Sequence, residues 1–312
     1  MGEIREGRIE ACLVGSTDFI HEPLFSQDFM ALDALAEDGE CLPFDEKAHG
    51  MVRADGGVVF FLQEASKAKR WRAIPIGFDY KFLGNHSFNY VHHDTDQMIK
   101  MLKKFYADCK VDPTRVKYIE ADGSGIKVSD SKEANIIAEV FCRERKNPLL
   151  IGSVKSNIGH AEAAAGAAGM VKALIAFQNS KIPPNINITS PIPELTSNDI
   201  KVVTEVKAFN GEFIGVNSIG FGGTFGHVLL KANPKKSSTM QIKETLPQIL
   251  LISSRTEAGV DDIMKQVRNT KITPEFAALM NGVFSQEVRN HMYRCYAIVP
   301  PDNTKITIKS EV

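Results

Sequence analysis

The chain has 312 residues, of which 43% are hydrophobic and 24% are charged, and its 37 Lys and Arg against 38 Asp and Glu give a formal net charge of −1. This composition is ordinary for a soluble globular protein, and the length allows one large domain or two. The near-zero charge, without a basic stripe that carries aromatic residues, argues against a nucleic-acid-binding surface. No apolar run is long enough to cross a bilayer, so no membrane span is expected.

Apolar patterns predict alternating strands and helices over the first 233 residues. Residues 10–15 are predicted to form a central strand, residues 25–36 a helix that packs on the sheet, and residues 56–62 a second strand. Further along, the patterns predict helices at 96–109, at 131–142 and after 160, and strands at 116–121, 149–154, 201–204, 213–217 and 227–231. This succession indicates an α/β fold.

A polar stretch at 233–239 marks a boundary, and the chain carries no motif beyond it. Residues 250–254 and 294–299 are predicted strands, and Thr256 is a candidate N-cap for a helix between them. We therefore predict two regions, residues 1–233 and 234–312.

The N-terminus and the cysteines indicate a reducing, cytoplasmic setting. The first eight residues carry four charges, which excludes a secretory signal peptide. No C-x-x-C pair occurs, so neither a metal site nor a disulfide framework is predicted from the cysteines, which are Cys12, Cys41, Cys109, Cys142 and Cys295. The pair His92 and His93 could bind a metal, but no further ligand follows at ligand spacing, so a polar loop is the favoured interpretation.

Residues 153–166 concentrate the candidate chemistry. They follow an apolar run that is typical of a buried strand, and they lead into a helix of alanines and glycines whose small side chains predict close packing. Lys155 and His160 lie in the turn between strand and helix, where an α/β sheet gathers functional side chains. Both side chains are therefore expected to point into one cleft.

This stretch and two others resemble the β-ketoacyl synthases, the condensing enzymes of fatty acid and polyketide synthesis. Residues 155–166 are similar to the family's lysine–histidine segment, residues 118–125 to its Glu-Ala-His-Gly-Thr-Gly-Thr segment, and residues 215–224 to its Asn-Ser-Phe-Gly-Phe-Gly-Gly-Ser segment. The order and spacing of all three agree with the family. The chain looks closest to the ketosynthase region and following linker of animal-type fatty acid synthases.

The resemblance implies a thiolase-like fold with layers α/β/α/β/α. Residues 1–233 are expected to hold the end of its first half and the whole second half, and residues 234–312 a small α/β linker between ketosynthase and acyltransferase. The family's Cys-Ser-Ser setting is absent from the chain, so the resemblance places the nucleophilic cysteine upstream of Met1. The chain is therefore interpreted as a fragment or degenerate copy of a fatty acid synthase ketosynthase.

In the family, a cysteine takes an acyl chain from a carrier thioester, and an enolate formed by decarboxylation of a malonyl unit attacks it. The resemblance implies acyl and malonyl thioesters on the phosphopantetheine arm of an acyl carrier protein, no cofactor bound directly to the chain, and a homodimer in the complete protein. The basic run at 66–72 could receive the acidic carrier protein, although the solvated end of a helix is the favoured interpretation.

Four positions carry the catalytic part of the resemblance. His160 matches the second family histidine, whose neutral Nε2–H is suited to donate to the malonyl carbonyl, and Lys155 matches the lysine that orders this histidine. The backbone N–H of Phe221 matches an oxyanion donor, and its ring matches a gate over the cysteine. Asp122 stands where the family has its first catalytic histidine. An ionised carboxylate accepts hydrogen bonds without donating them and would repel the enolate.

The same resemblance assigns further residues to substrate binding. Ser124 matches a threonine that contacts the pantetheine arm, and Gly222 and Gly223 would let the backbone approach the substrate closely. Glu162 matches a glutamate often found near this turn, although its charge would equally complement the positive end of the following helix. Phe225 departs from the family, which commonly has asparagine at this position.

Three functions remain open. The complete protein would carry out decarboxylative condensation in fatty acid biosynthesis, or it would be the ketosynthase of a polyketide synthase. Asp122 and the missing cysteine favour a third function, a catalytically inactive homologue that acts as a scaffold or carrier-binding subunit. Without a nucleophile, this chain alone is predicted to have no condensing activity.

Overall fold

The computed structural model describes residues 2–68, 71–82, 94–233, 247–285, 288–300 and 307–311. Residues 69 and 70 of the basic run, the pair His92 and His93, and the stretch 234–239 at the predicted boundary lie outside the described residues. The chain divides into two compact units, residues 1–236 and 237–312. Over the described ranges, no helix combines the length and the apolar character needed to span a bilayer.

The first unit alternates helices and strands along the chain. Its helices are α1 Gly2–Arg5, α2 Pro23–Ala31, α3 Thr95–Cys109, α4 Lys127–Phe141, α5 Lys155–Ile158, α6 Ala165–Asn179 and α7 Pro193–Ser197, with 3₁₀ turns at Pro113–Arg115 and Glu162–Ala164. Its strands are β1 Ala11–Asp18, β2 Gly56–Gln63, β3 Ala73–Phe82, β4 Val116–Glu120, β5 Leu149–Gly152, β6 Lys181–Ile182, β7 Ile200–Val202, β8 Lys207–Ala208, β9 Phe213–Ile219 and β10 Thr224–Ala232.

A six-stranded mixed sheet forms the centre of this unit, in the order β3–β10–β9–β4–β5–β7. Strands β9, β4, β5 and β7 run parallel, while β10 is antiparallel to both of its neighbours. Helices α3 and α4 cover one face, where Leu102 and Phe105 pack with Ile119. Helix α6 covers the other face, where Ala173 packs with Tyr118. Neighbouring residues of β4 thus serve opposite cores, as the alternation of a strand requires.

Small residues bring helix α6 close to the sheet. A Cβ at Gly169 would lie 3.2 Å from the Cγ of Glu120, and a Cβ at Gly166 would lie 2.9 Å from the Oγ of Ser218. The close packing that the sequence predicts for these glycines is confirmed.

Strands β1 and β2 form a separate antiparallel pair beside the start of α6. The Oγ of Ser16 donates to the carbonyl of Ala163 at 2.5 Å, and a Cβ at Gly56 would lie 2.7 Å from the Cβ of Ala161. Within the described residues β1 pairs only with β2. The prediction of a central strand at residues 10–15 is therefore wrong for the structure described.

Helix α2 also departs from the prediction. It ends at Ala31, and none of its residues is buried, so it does not pack its apolar side chains on the sheet. Phe25 and Met30 are more than half exposed and lie about 140° apart around the helix, so no single apolar stripe forms. Phe29 instead contacts the ring of Phe221, with 5.2 Å between the ring centroids.

The second unit is a three-stranded antiparallel sheet with two helices packed on it. Its elements are β11 Gln248–Ser254, α8 Glu257–Asn269, α9 Pro274–Phe284, β12 Tyr293–Val299 and β13 Thr307–Glu311. Thr256 caps α8 by accepting a hydrogen bond from the N–H of Gly259 at 3.1 Å, so the predicted N-cap is confirmed. Helix α9 is not predicted from the sequence.

Candidate active site

The loop that follows β4, residues 121–126, is held in shape by two buried carboxylates of α4. Asp130 accepts hydrogen bonds from the backbone N–H groups of Ser124 and Gly125 at 2.9 and 3.2 Å. Glu133 accepts hydrogen bonds from the N–H groups of residues 122 and 123 at 2.8 and 2.9 Å. The first turns of α4 therefore fix the backbone that carries the second motif.

Burial raises the pKa of both carboxyls. The pKa of Asp130 rises to about 6 because the side chain is out of water. The pKa of Glu133 rises to about 7 because of burial and of the nearby charge of Asp122. The loop is thus held by two carboxyl groups, Asp130 and Glu133, whose pKa values are above the usual range of carboxylic acids.

Asp122 forms a buried ion pair with Lys155. The Nζ–Oδ1 distance is 2.7 Å, and only 3% of the lysine side chain and 6% of the aspartate side chain are exposed. The same Oδ1 accepts a hydrogen bond from the N–H of Ile219 at 3.0 Å. Burial alone would raise the pKa of Asp122, but the charge of Lys155 and these contacts lower it below its ordinary value. Asp122 is therefore ionised, and an adjacent cation balances its charge.

The pair forms because Asp122 and Lys155 follow neighbouring parallel strands. Strands β4 and β5 are in register with Glu120 beside Gly152, so the residues after each strand meet at one edge of the sheet. The Oγ of Ser153 donates to the Asp122 carbonyl at 2.9 Å and ties the two loops together. Two of the three sequence motifs are thus joined at this edge.

His160 is fixed through both its backbone and its ring. Its N–H donates to the carbonyl of Val52 at 2.6 Å, and the N–H of Ala54 donates to the His160 carbonyl at 3.0 Å. The ring accepts a hydrogen bond at Nδ1 from the N–H of Glu162 at 2.9 Å, which leaves the ring proton on Nε2. Burial and the charge of Lys155 lower the pKa of His160 to about 3. The ring is therefore neutral at pH 7, in the tautomer that the sequence analysis expects of a donor.

A cavity of about 20 Å³ lies between these groups, which gives room for about one water molecule. Its wall combines residues from all three motifs: Asp122, Ser124, Ile126, Ser129, His160, Ile219 and Phe221. The structure therefore brings together four residues that the sequence analysis singles out, namely Asp122, Ser124, His160 and Phe221.

Gly222 and Gly223, which are predicted to contact the substrate, lie in the turn between β9 and β10 and do not line this cavity. Gly223 has a φ of +83°, a conformation that glycine adopts without strain. Among the described residues, a Cβ at Gly222 would meet only the ring of Phe82, at 4.0 Å. Contacts with the described residues therefore do not explain why position 222 is a glycine.

Lys155 and Glu162 contact the site without lining its cavity. Lys155 reaches the wall through Asp122. The carboxylate of Glu162 pairs with Arg53, and its backbone N–H is the group that reaches His160. Glu162 thus has an ionic partner that neither sequence interpretation anticipates.

Sequence reasoning misses Asp130, Glu133 and Arg53. The two carboxylates carry a usable signal, because acidic residues in the first turns of a helix can accept hydrogen bonds from the loop before it. Arg53 carries no such signal, since it lies 109 residues before its partner Glu162.

No cysteine in the described chain is placed as the nucleophile. Cys41 lies beside the site, with its Sγ 3.6 Å from the carbonyl oxygen of Ser124. Burial and the charge of Asp130 raise the pKa of this thiol to about 12, so it is not ionised at neutral pH. The other cysteines lie on β1, on α3, after α4 and on β12, and they are Cys12, Cys109, Cys142 and Cys295.

Three family models match successive parts of the chain. They are described as the β-ketoacyl synthase N-terminal domain, over residues 1–68, the β-ketoacyl synthase C-terminal domain, over residues 76–189, and the ketoacyl-synthetase C-terminal extension, over residues 184–298. Together they cover most of the chain with parts of one family, in the order of that family.

Curated relatives include polyketide synthases. A highly reducing polyketide synthase of Alternaria alternata is 30% identical over 85% of this chain, and one of Glarea lozoyensis is 33% identical over 73%. The chain covers 9% of each of these two proteins. Neither relative is named as a fatty acid synthase, so the predicted closeness to animal-type fatty acid synthases is not confirmed.

Solved ketosynthase structures share the fold. The ketosynthase from module 6 of the bacillaene synthase of Bacillus subtilis 168 matches 96% of the chain with a TM-score of 0.82 and 22% identity. An oxazolomycin ketosynthase domain of Streptomyces albus matches 99% with a TM-score of 0.83 and 20% identity. The chain spans 54% and 57% of these structures. The predicted thiolase-like α/β fold is confirmed, and with the family models it shows that the chain belongs to the β-ketoacyl synthase family.

Proposed function

We propose that this chain provides the side of a polyketide-type ketosynthase site that decarboxylates the malonyl unit. The observation that carries the proposal is the cavity in which the neutral imidazole of His160 and the residue Phe221 share one wall. The polyketide synthases among the relatives support a polyketide assignment over a fatty acid one. The chain spans a small part of those proteins. That the whole enzyme condenses acyl and malonyl units is therefore also a proposal.

The chemistry follows from the protonation state of the histidine. When CO₂ leaves a malonyl thioester, the bonding electron pair stays on the α-carbon and its charge is shared with the thioester oxygen. The Nε2–H of a neutral His160 would donate a hydrogen bond to that oxygen and stabilise the enolate. The lowered pKa of His160 suits this role, because the ring then keeps one proton and one tautomer through the reaction.

The substrate would enter beside Phe221 and Ser124. Ser124 lines the cavity and would contact the phosphopantetheine arm of the carrier protein. The backbone N–H of Phe221 would hold the oxyanion of the condensation step. Since the cavity has room for about one water molecule, side chains of its wall would have to move before a malonyl group could enter.

Asp122 and the cysteines restrict the expected reaction to its first half. A carboxylate beside the developing enolate opposes its charge, although Lys155 balances part of that effect. None of the described cysteines lines the cavity, where it could hold the acyl chain. We therefore expect this chain to decarboxylate malonyl thioesters slowly and to form no new carbon–carbon bond.

A non-catalytic, carrier-binding homologue is the second candidate. The buried ion pair between Asp122 and Lys155 favours it. In this pair the lysine is bound to Asp122, the residue that matches the family's catalytic histidine. Such a protein would bind malonyl-carrier protein and leave it intact. The homodimer and the cytoplasmic location stay predictions for both candidates.

Mass spectrometry of the carrier proteins distinguishes these functions. The chain is incubated with octanoyl- and malonyl-carrier proteins, and the products are compared with a sample without the chain. The proposal expects the enolate to take a proton from water at its α-carbon, so that acetyl-carrier protein rises above the control and no β-ketoacyl product forms. Retained binding of malonyl-carrier protein without acetyl product would support the second candidate, and a β-ketoacyl product would contradict both.

A further inference from the structure

Arg53 lies beside the site and is engaged on several sides. Its Nε pairs with the Oε1 of Glu162, and 9% of the arginine and 22% of the glutamate side chain are exposed. Its Nη1 donates to the Oγ of Ser26 on α2 at 2.7 Å. Its guanidinium lies 5.5 Å from the ring centroid of Phe29 on the same helix. One side chain therefore connects α2 to the turn that follows His160.

Glu162, the acid of this ion pair, has an unusual backbone conformation. Glu162 has a φ of +38°, in the left-handed region that residues other than glycine rarely adopt. In this conformation its N–H donates to the Nδ1 of His160 at 2.9 Å. A backbone with this strain persists only where the surroundings fix it, and Arg53 supplies the ionic contact. The side chain of Arg53 is thus in ionic contact with the residue whose N–H donates to the Nδ1 of His160.

The residues on either side of Arg53 bond the backbone of the same histidine. Residues 52–54 run alongside His160, with the Val52 carbonyl accepting from His160 N–H at 2.6 Å and Ala54 N–H donating back at 3.0 Å. Phe29, beneath the guanidinium, in turn contacts the ring of Phe221. Arg53 is thereby linked to two residues of the cavity wall that come from different motifs.

We propose that Arg53 is a positioning residue that keeps the ring proton of His160 on Nε2 through its ion pair with Glu162. This rests on the proposed function for its catalytic meaning, since only an Nε2–H directed at the cavity is useful to an enolate. The claim about the tautomer itself needs no substrate and can be tested separately.

The test is the ¹⁵N spectrum of the histidine ring in the full chain. Signals of His160 are assigned by their loss in His160→Gln, and long-range ¹H–¹⁵N spectra then report which ring nitrogen carries the proton. In the wild type we expect one protonated and one unprotonated nitrogen. In Arg53→Met we expect the two signals to shift toward each other, because the proton then distributes over both nitrogens.

Arg115→Met is the matched control. Arg115 also pairs with a glutamate, Glu212, and lies over an aromatic ring, that of Phe213 at 4.9 Å, but none of these residues lines the cavity. We expect this variant to keep the wild-type His160 signals.

A folded Arg53→Met variant with unshifted His160 signals would overturn the proposal. If that variant does not fold, Glu162→Gln takes its place, because it keeps the backbone N–H and removes the anion that Arg53 holds. Unshifted His160 signals in Glu162→Gln would likewise overturn it. A shift in either variant supports it, whatever the outcome of the decarboxylation assay, so failure of this proposal and failure of the proposed function are separate results.

Discussion

In the sequence resemblance, Asp122 matches the position of the family's first catalytic histidine. Sequence reasoning treats it as an anion that repels an enolate. The structure adds that its carboxylate is 2.7 Å from the ammonium of Lys155, with both groups buried. Each of these buried charges is stabilised by the other, because an unpaired buried charge is very unfavourable. The substitution is therefore coupled to the stability of the fold as well as to the reaction.

Asp122→Asn should lower the free energy of unfolding by about 3–5 kcal/mol, because it leaves the charge of Lys155 buried without its partner. Urea denaturation of the two proteins measures this difference. Asp108→Asn removes the partner of Lys104 in an exposed pair and should change the unfolding midpoint little.

The double variant Asp122→Asn/Lys155→Met completes this experiment. It removes both buried charges, so most of the stability lost in Asp122→Asn should return. A double variant as unstable as the sum of the two single changes would show that the ion pair is not what links these residues.

The histidine at the cavity should give the stability a characteristic pH dependence. The pKa of His160 is about 3 in the folded chain, below its usual value of 6.5, so below pH 6.5 the unfolded chain binds a proton that the folded chain does not. Its contribution to stability is present above pH 6.5 and is lost as the pH falls toward 3. The difference in unfolding free energy between wild type and His160→Gln should therefore shrink as the pH falls through this window.

His49 provides a control of opposite sign. A hydrogen bond to the carbonyl of Lys47, together with Asp38, raises the pKa of His49, so its contribution is present at low pH and is lost as the pH rises. The difference between wild type and His49→Gln should grow as the pH falls. Equal pH trends for the two variants would contradict the assignment of a neutral, buried ring to His160.

Among the elements of the fold, the loop after β4 determines whether the residues of the three motifs lie close together. Its backbone N–H groups point to Asp130 and Glu133, and this arrangement requires left-handed glycines, with φ of +43° at Gly123 and +81° at Gly125. A Cβ at Gly125 would lie 2.7 Å from the carbonyl oxygen of Gly50, which is backbone and cannot easily move aside.

Gly125→Ala should therefore destabilise the chain more than Gly39→Ala. Gly39 also has a positive φ, +74°, but a Cβ there would meet no atom of the described chain within 4 Å, so that variant isolates the backbone strain of about 1–3 kcal/mol. Thermal unfolding of both variants measures the difference. Equal losses would mean that the contact with Gly50 does not constrain the loop.

Much of the site could be predicted because its motifs lie at the carboxyl ends of strands that are close in sequence. Strand β4, strand β5 and the helices after them are encoded by local apolar patterns, and topology then brings Asp122, Lys155 and His160 to one edge. Arg53 could not be predicted in this way. It reaches Glu162 through tertiary packing between segments 109 residues apart, and local patterns hold no information about such a contact.

The fold around α2 and β1 was less predictable for a related reason. An apolar spacing indicates that a face can be buried, but it does not indicate what covers the face. Phe25 of α2 and Leu13 of β1 are 58% and 72% exposed in the structure, so the patterns that predicted a packed helix and a central strand are not matched by burial here.

At the scale of the whole molecule, the outer face of the β1–β2 pair stands out. Leu13, Val59 and Phe61 lie on it side by side and are each more than 60% exposed. A contiguous apolar patch on a two-stranded sheet favours association, because burying it is favourable and the pair alone is weakly stabilised.

Val59→Thr/Phe61→Thr should therefore reduce self-association of the chain. Threonine suits a strand, so the pair β1–β2 should be retained while the patch becomes polar. Sedimentation velocity over a range of concentrations measures the effect. Val206→Thr changes an apolar residue of similar exposure outside this sheet and should leave association unchanged. Identical behaviour of all three proteins would contradict the role of this face.

Whether this cavity stabilises an enolate is measured by the rate at which the chain converts malonyl-pantetheine to acetyl-pantetheine, compared between wild type and His160→Gln. His49→Gln serves as the histidine control and should keep the wild-type rate. We expect the wild type to exceed the rate in buffer and His160→Gln to lose about 10²–10³-fold or fall to that background, because one preorganised donor to the enolate is removed. A wild type no faster than buffer, or a His160→Gln variant as fast as the wild type, would contradict the claim that this cavity stabilises an enolate.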